Sequence, residues 1–474
     1  MAYSQISEWL DFEIRAEGSN DNGGAFASKN NADSSTGTDR TQQDDPHVAI
    51  GGGTVTAVCA TGSGSRKSIV LSGYTASSAD VGNCVNIVSA PSGVYEGLYY
   101  ISSVTGTDTW NFSNDCRDST GDASPLGITT ANMGGAWTGG LGFWSSKQDV
   151  WFDDGQAFAV WIKSGTYTWT STDTSADGGS LVAGGSLSAS ITGYTSERGD
   201  AREGGALPIW DVASTGFTGK MIDLGSAANT VEINFLVLDG GGTATYGVYG
   251  DGAAVGHSCC GVTVRDLNTT SGWAFYYPIT CVFCQVSGAY GGYGHAVASA
   301  NCYAEDCAGF GFKDSSRYVG YGNIAHDCDI GFQQDSFHGL WVNCVADDCA
   351  TGFSLIRTSI HQCVATNCLH SFTADVTYYS TMFSCAGYNN TNAPQARIAV
   401  NSDYTTLTAD PWEDQSASPP DFRLNDTAGG GAALRGRGYA YPTQTAVCDT
   451  SAFITARSGS GSSVIPARPI QIGA

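Results

Sequence analysis

Methionine and basic side chains are scarce in this chain: 4 Met and 21 Lys plus Arg among 474 residues. Long apolar runs are missing as well. Nothing approaches the roughly 18–20 consecutive apolar residues that cross a bilayer as a helix. Met1–Asp11 has neither a basic nor an apolar stretch, so no secretory signal is expected. With 45 acidic residues the formal charge is −24. That charge repels phosphate backbones and anionic lipid surfaces, so neither nucleic acid nor membrane is expected as a partner. It does favour solubility. Amphipathic helical patterns are hard to find, and Ser4–Arg15 is the best short candidate. The seven His are scattered. No HExxH, GxSxG, P-loop or Ser/His/Asp arrangement stands out, so no catalytic residue and no metal ligand is assigned.

What is abundant is Gly, at 63 residues, together with Ser, Thr, Asn and Asp. This is a β-rich, turn-rich composition. The sixteen Cys carry the clearest pattern. Cys260, Cys281 and Cys302 are 21 apart, and the series continues through Asn323, Cys344, Cys363 and Cys385. A second series runs Cys307, Cys328, Cys349, Cys368. The motif itself recurs as Cys302-Tyr-Ala-Glu-Asp-Cys307, Asn323-Ile-Ala-His-Asp-Cys328, Cys344-Val-Ala-Asp-Asp-Cys349 and Cys363-Val-Ala-Thr-Asn-Cys368. Each copy is followed by a small residue and Phe. A period near 21 is too short for two helices and suits a coil of three short strands. Like residues then stack one inter-strand step apart, about 4.8 Å. The Cys become small buried apolar side chains rather than disulfides. Zinc at Cys281-Val-Phe-Cys284 is disfavoured, because no second CxxC or His pair accompanies it.

Two flanking segments read as a strand followed by a turn: Phe12-Glu-Ile-Arg-Ala-Glu-Gly-Ser-Asn-Asp-Asn-Gly-Gly24 and Ala159-Val-Trp-Ile-Lys-Ser-Gly-Thr-Tyr-Thr168. Near the other end stands Asp421-Phe-Arg-Leu-Asn425. On these motifs the chain resembles the pectate-lyase-like right-handed β-helix superfamily, and more loosely the β-helical appendage proteins of bacteriophages. The Ser19-Asn20-Asp21 turn departs slightly from that pattern. The resemblance implies an all-β fold: a right-handed parallel β-helix with an inserted small antiparallel β domain and an irregular C-terminal segment. The expected divisions are 1–47, an N-terminal segment with the first strand; 48–140, a small inserted barrel or sandwich; 141–395, the parallel β-helix; and 396–474, a closing segment and extended tail. Such motifs specify architecture and say little about chemistry.

Two groups of residues are candidate sites. Asp306, Asp327 and Asp348 recur at one repeat position. As a ladder of carboxylates they can bind Ca²⁺, the one cofactor the sequence suggests, or face a glycan. As Asp/Asn beside a strand they mark a turn. The neighbouring series Glu305, His326, Asp347, Thr366 accepts acid, imidazole and hydroxyl, and is expected to be solvated. Trp273, Tyr277, Tyr290 and Tyr293 lie in an aromatic-dense stretch, either a docking surface or core stacking. The leading functional expectation is a structural virion component: a head decoration, fibre or spike on the particle surface. It would associate with other virion proteins and with itself, as a homo-oligomer such as a trimer, with host surface glycan as a further partner. The alternatives are a polysaccharide lyase or hydrolase (a depolymerase) and a bacterial adhesin or filament subunit.

Overall fold

The computed structural model describes residues 10–435 except 28–37, 53, 60–65, 91–95, 117–126, 139–157, 169–187, 201–204, 213–216, 225–229, 251–255, 278, 296–297, 315–317, 336–338, 375–379, 393, 396–397, 402–403 and 418–419. Val464–Ile472 lies outside the described residues. The chain is nearly all β, with two long sheets of thirteen and seventeen strands. Apart from the short pairing of Ala25–Phe26 on Asp11–Ile14, the strands of both sheets pair parallel. Successive strands shuttle between the sheets. Leu340–Val342 joins the thirteen-stranded sheet, Val345–Asp347 and Thr351–Leu355 join the other, and Ser359–His361 returns to the first. This arrangement is consistent with a parallel β-helix. The short helix candidate at the N-terminus is replaced, where described, by the strand Asp11–Ile14. Phe12 and Ile14 alternate into the core there, a period of two rather than 3.6.

The corners explain the repeat. One corner places single residues in the left-handed region: Asp306, Asp327, Asp348, Asn367 and Asn389, with φ between 49° and 57°. A second corner does the same at Phe283, Asn301, Asn343, Gln362 and Ser384. Asn and Asp tolerate this conformation best among residues with a Cβ. After all of these corner residues but Asn389, which Asn390 follows, comes an inward Cys, and several of these thiols donate to the carbonyl two residues back: Cys328 to His326 (3.3 Å), Cys349 to Asp347 (3.3 Å), Cys368 to Thr366 (3.2 Å) and Cys344 to Val342 (3.4 Å). The thiol is small enough for the narrow interior and adds a weak donor to carbonyls that already accept from the neighbouring rung, as Asp347 does from the Asp327 N–H (3.1 Å) and Thr366 from the Asp348 N–H (3.1 Å). Among the described residues, the cysteines from Cys259 to Cys385 and Cys84 are free thiols. Burial holds the thiols of Cys363 and Cys385 well above the usual range, so they stay protonated.

One ladder needs correction. The 260–281–302 spacing does not mark a single column. Cys281 pairs in register with Cys259 on the thirteen-stranded sheet, and Cys260 sits opposite Val282. The column that contains Cys302 runs instead through Val262, Cys284, Cys302, Asn323, Cys344, Cys363 and Cys385, as the hydrogen bonds between their neighbours show. The early coils differ in length, so equal spacing there crosses columns. Inside, an aromatic stack joins Phe275, Tyr293, Phe312, Phe332, Phe353 and Phe372, with centroids 4.5–5.1 Å apart and near-parallel rings.

Between the first strand and the rest lies an eight-stranded antiparallel sheet, Val48–Ile50 to Thr130–Met133, around its own core of Tyr99, Ile101, Trp110 and Met133. Its junction with the long sheets is polar and buried. Glu13, fully buried on the outward side of the first strand, meets Arg15 (3.0 Å), Arg198 (2.8 Å) and the Tyr194 hydroxyl. Arg198 reaches on to Asp39 (3.0 Å) and Thr41 (3.2 Å). Two further contacts anchor the joint: Trp137 stacks on Phe12 at 5.5 Å and donates to the Asn22 carbonyl (2.7 Å). Gly24, at φ 63°, leaves the space that the indole fills.

Candidate functional site

The outward residues of the strands Lys220–Asp223, Tyr246–Tyr249, Trp273–Tyr276, Gln285–Gly294 and Tyr303–Asp314 form two adjoining columns. One reads Lys220, Tyr246, Trp273, Gly291, Phe310; the other reads Asp223, Tyr249, Tyr276, Gly294, Lys313. The rings are half-buried and touch one another. Tyr276 packs against Tyr246 (5.4 Å), Tyr249 (5.8 Å, nearly parallel) and Trp273 (5.6 Å). Trp273 is parallel to Phe310 at 5.9 Å, and Tyr290 meets both edge-on. At the corner, Tyr277 and His295 stack at 5.4 Å, both with positive φ.

Two glycines make this packing possible. A Cβ at Gly291 or Gly294 would come within 2.3 or 2.6 Å of the Trp273 ring, so the indole occupies what would be side-chain space on the next rung. A lysine stands at each end. The Lys220 ammonium lies 3.8 Å over Tyr249 and 2.9 Å from Asp223; that of Lys313 lies 4.3 Å over Phe310 and 3.0 Å from Asp335. Burial, then the neighbouring tyrosines Tyr246, Tyr277 and Tyr249, push the Tyr276 pKa up, so its hydroxyl remains a donor. The face therefore offers apolar ring surface, phenolic hydroxyls and locally balanced charge.

Of the four aromatics singled out in the sequence, Trp273, Tyr277 and Tyr290 lie on this face. Tyr293 does not. It belongs to the interior stack, and its hydroxyl donates to the Cys284 carbonyl (2.7 Å). Tyr246, Tyr249, Phe310 and Lys220 carry no signal in the sequence that sets them with these aromatics. They sit on coils of unequal length, and only the register brings them together.

Asp306, Asp327 and Asp348 are the exposed left-handed corner residues. Among the described residues no group of three or more His, Cys, Asp or Glu is placed to hold a metal ion. The neighbouring column is different from what its mixed composition suggests. Asp347 is 1% exposed. It accepts from His326 Nδ1 (3.0 Å), Thr366 Oγ1 (2.5 Å), Asn367 Nδ2 (3.0 Å) and Gln415 Nε2 (2.9 Å). Residues 404–435 cover it. Leu407, Trp412, Phe422 and Leu434 pack over Tyr303, Ile324, Val345, Val364 and Ala386. Trp412 Nε1 donates to Thr366 (3.1 Å), and Phe422 lies 5.8 Å from the His326 ring. Burial pulls the His326 pKa down, but its hydrogen bond to Asp347 and the charges of Asp347, Glu305 and Asp327 outweigh it, and the net shift is upward. This cluster fastens the closing segment.

No family model and no curated protein matches the chain. Among solved structures it is similar to a rhamnogalacturonan lyase, at 12% identity over 50% of this chain and 67% of that one, with a TM-score of 0.33. It is also similar to the catalytic domain of a GH87 α-1,3-glucanase with bound tetrasaccharides, at 8% identity over 76% and 86% of the two chains, with a TM-score of 0.30. Likenesses at this level leave the chemistry to be argued from the chain's own residues.

Proposed function

We propose that this chain is a glycan-binding protein built on a right-handed parallel β-helix, and that a polysaccharide strand lies along the aromatic face between Lys220 and Phe310. The observation that carries this reading is the gathering of Tyr246, Tyr249, Trp273, Tyr276, Tyr290 and Phe310 on consecutive rungs of an outward sheet face. Core stacking does not need these rings, because the inward column already has its own. Outward tyrosine and tryptophan combine ring surface for sugar C–H groups with hydroxyls for sugar oxygens. Display on a virion surface is the setting we favour, since a rigid, acidic, extended body suits an appendage that touches host glycan. Isothermal titration with soluble polysaccharides tests the reading. Trp273→Ala and Tyr276→Ala should each weaken binding about tenfold or more, in the range of aromatic anchors elsewhere. Unchanged affinity in both variants would move the site off this face.

A depolymerase is favoured by one observation. Asp211 and Asp239 are register partners on adjacent rungs, and Arg265 holds Asp239 at 2.8 Å. Carboxyl groups about 5–5.5 Å apart suit a retaining glycosidase. Release of reducing ends by the wild type, abolished in Asp239→Asn while binding persists, would support cleavage. Binding without release would leave a lectin-like role.

A further inference from the structure

Resting on that glycan-binding reading, we infer that the aromatic face takes an uncharged polysaccharide and rejects acidic ones, and that Asp223 and Asp335 set this preference. A protein of formal charge −24 repels a polyanion at long range. To bind an acidic glycan it must present cations that are not already neutralised. The chain has six lysines, and two of them border this face. Each is countered at close range: Lys220 by Asp223 at 2.9 Å and Lys313 by Asp335 at 3.0 Å. Arg265, on an outward column of the same sheet, is held by Asp239 at 2.8 Å. His295, at the corner, adds no charge near neutrality. Burial and then Lys313 draw its pKa down, against an opposing pull from Asp335. The formal charge of these groups on the face is therefore zero.

The rings act in the same direction. An aromatic face carries the negative lobe of its quadrupole, which attracts cations and C–H groups and disfavours anions. The two ammonium groups already lie against Tyr249 and Phe310. A uronate carboxylate laid on this surface would lose water without gaining an unshared partner. A neutral pyranose loses little: its C–H face stacks and its hydroxyls reach the phenols. Asp223 and Asp335 thus act through the lysines as specificity-determining residues.

The test uses the full chain with two sets of probes: neutral polymers (dextran, β-glucan, galactomannan) and anionic ones (polygalacturonate, alginate), compared by affinity electrophoresis and titration at low and moderate salt. The wild type should bind a neutral polymer, with loss in Trp273→Ala, and should bind the anionic polymers at least about tenfold more weakly. In the double variant Asp223→Asn/Asp335→Asn the lysines lose their partners, so the ratio of anionic to neutral affinity should rise about tenfold at low salt and fall back as salt is added. Wild-type binding of an anionic polymer as tight as any neutral one, and sensitive to Trp273→Ala, would overturn the inference while keeping the face. So would a double variant whose ratio does not move. Failure to bind either class, or binding indifferent to Trp273→Ala, would overturn the glycan-binding reading and the inference with it.

Discussion

Two outward columns of the same sheet behave in opposite ways. The Tyr249–Tyr276–Lys313 column is rich in large apolar rings, yet it stays partly exposed. The Glu305–His326–Asp347–Thr366 column is polar, yet Asp347 and Thr366 are buried under residues 404–435. On an outward face, then, composition does not by itself report exposure. What decides is whether another segment of chain lies across it, and whether the polar groups beneath are fully hydrogen-bonded. Glu13 repeats the second case on the other long sheet, held under Arg198 and the segment carrying Asp39.

The comparison can be broken at its covered end. Glu13→Ala should have the largest effect, a loss of about 3–5 kcal/mol, because Arg198 stays buried with its main counter-charge gone. A thermal melt measures it, and a cost typical of a surface substitution would mean that water enters the cluster. Asp347→Asn should cost less, about 1–3 kcal/mol. The amide keeps the shape but puts a donor among groups that already donate. Limited proteolysis should show residues 404–435 loosening before the coils unfold; loss confined to the coils would separate Asp347 from the closing segment.

A smaller effect should follow pH. The folded-state pKa of His326 is raised above its ordinary value of 6.5. Its contribution is therefore complete below about that ordinary value and fades as pH rises through the higher folded value. Hydrogen-exchange protection of the closing segment should decline over that window in the wild type and be flatter in His326→Gln. Protection that grows with pH would reverse the assignment. The smallest change belongs to the open corner. Asp327→Asn should shift stability by no more than about 0.5 kcal/mol, because Asn367 and Asn389 already occupy equivalent left-handed positions. A large loss there would point to a ligand at the carboxylates.

Much of the repeat was legible in the sequence. The second Cys series, Cys307 to Cys368, and the Asp/Asn corner follow the column read from the repeat, since those coils are nearly equal in length. The reading slipped at Cys260 and Cys281, where coil length varies and periodicity no longer reports register. It left Tyr293 open between surface and core, because an aromatic in a strand can face either side and one residue of register decides which. Asp347 could not have been placed correctly without knowing that Trp412 and Gln415, distant in sequence, fold back over it.

Local chemistry determined the strands, the left-handed corners and the small thiols behind them. Those choices depend on backbone sterics and on neighbours one coil away, and both are written in a repeating sequence. Tertiary structure alone decided that Gly291 and Gly294 make room for Trp273, that each lysine on the aromatic face meets a carboxylate, and that the Asp347 rung is sealed. Each of these depends on which distant segments come within a few ångströms, and a period along the chain carries no information about that distance.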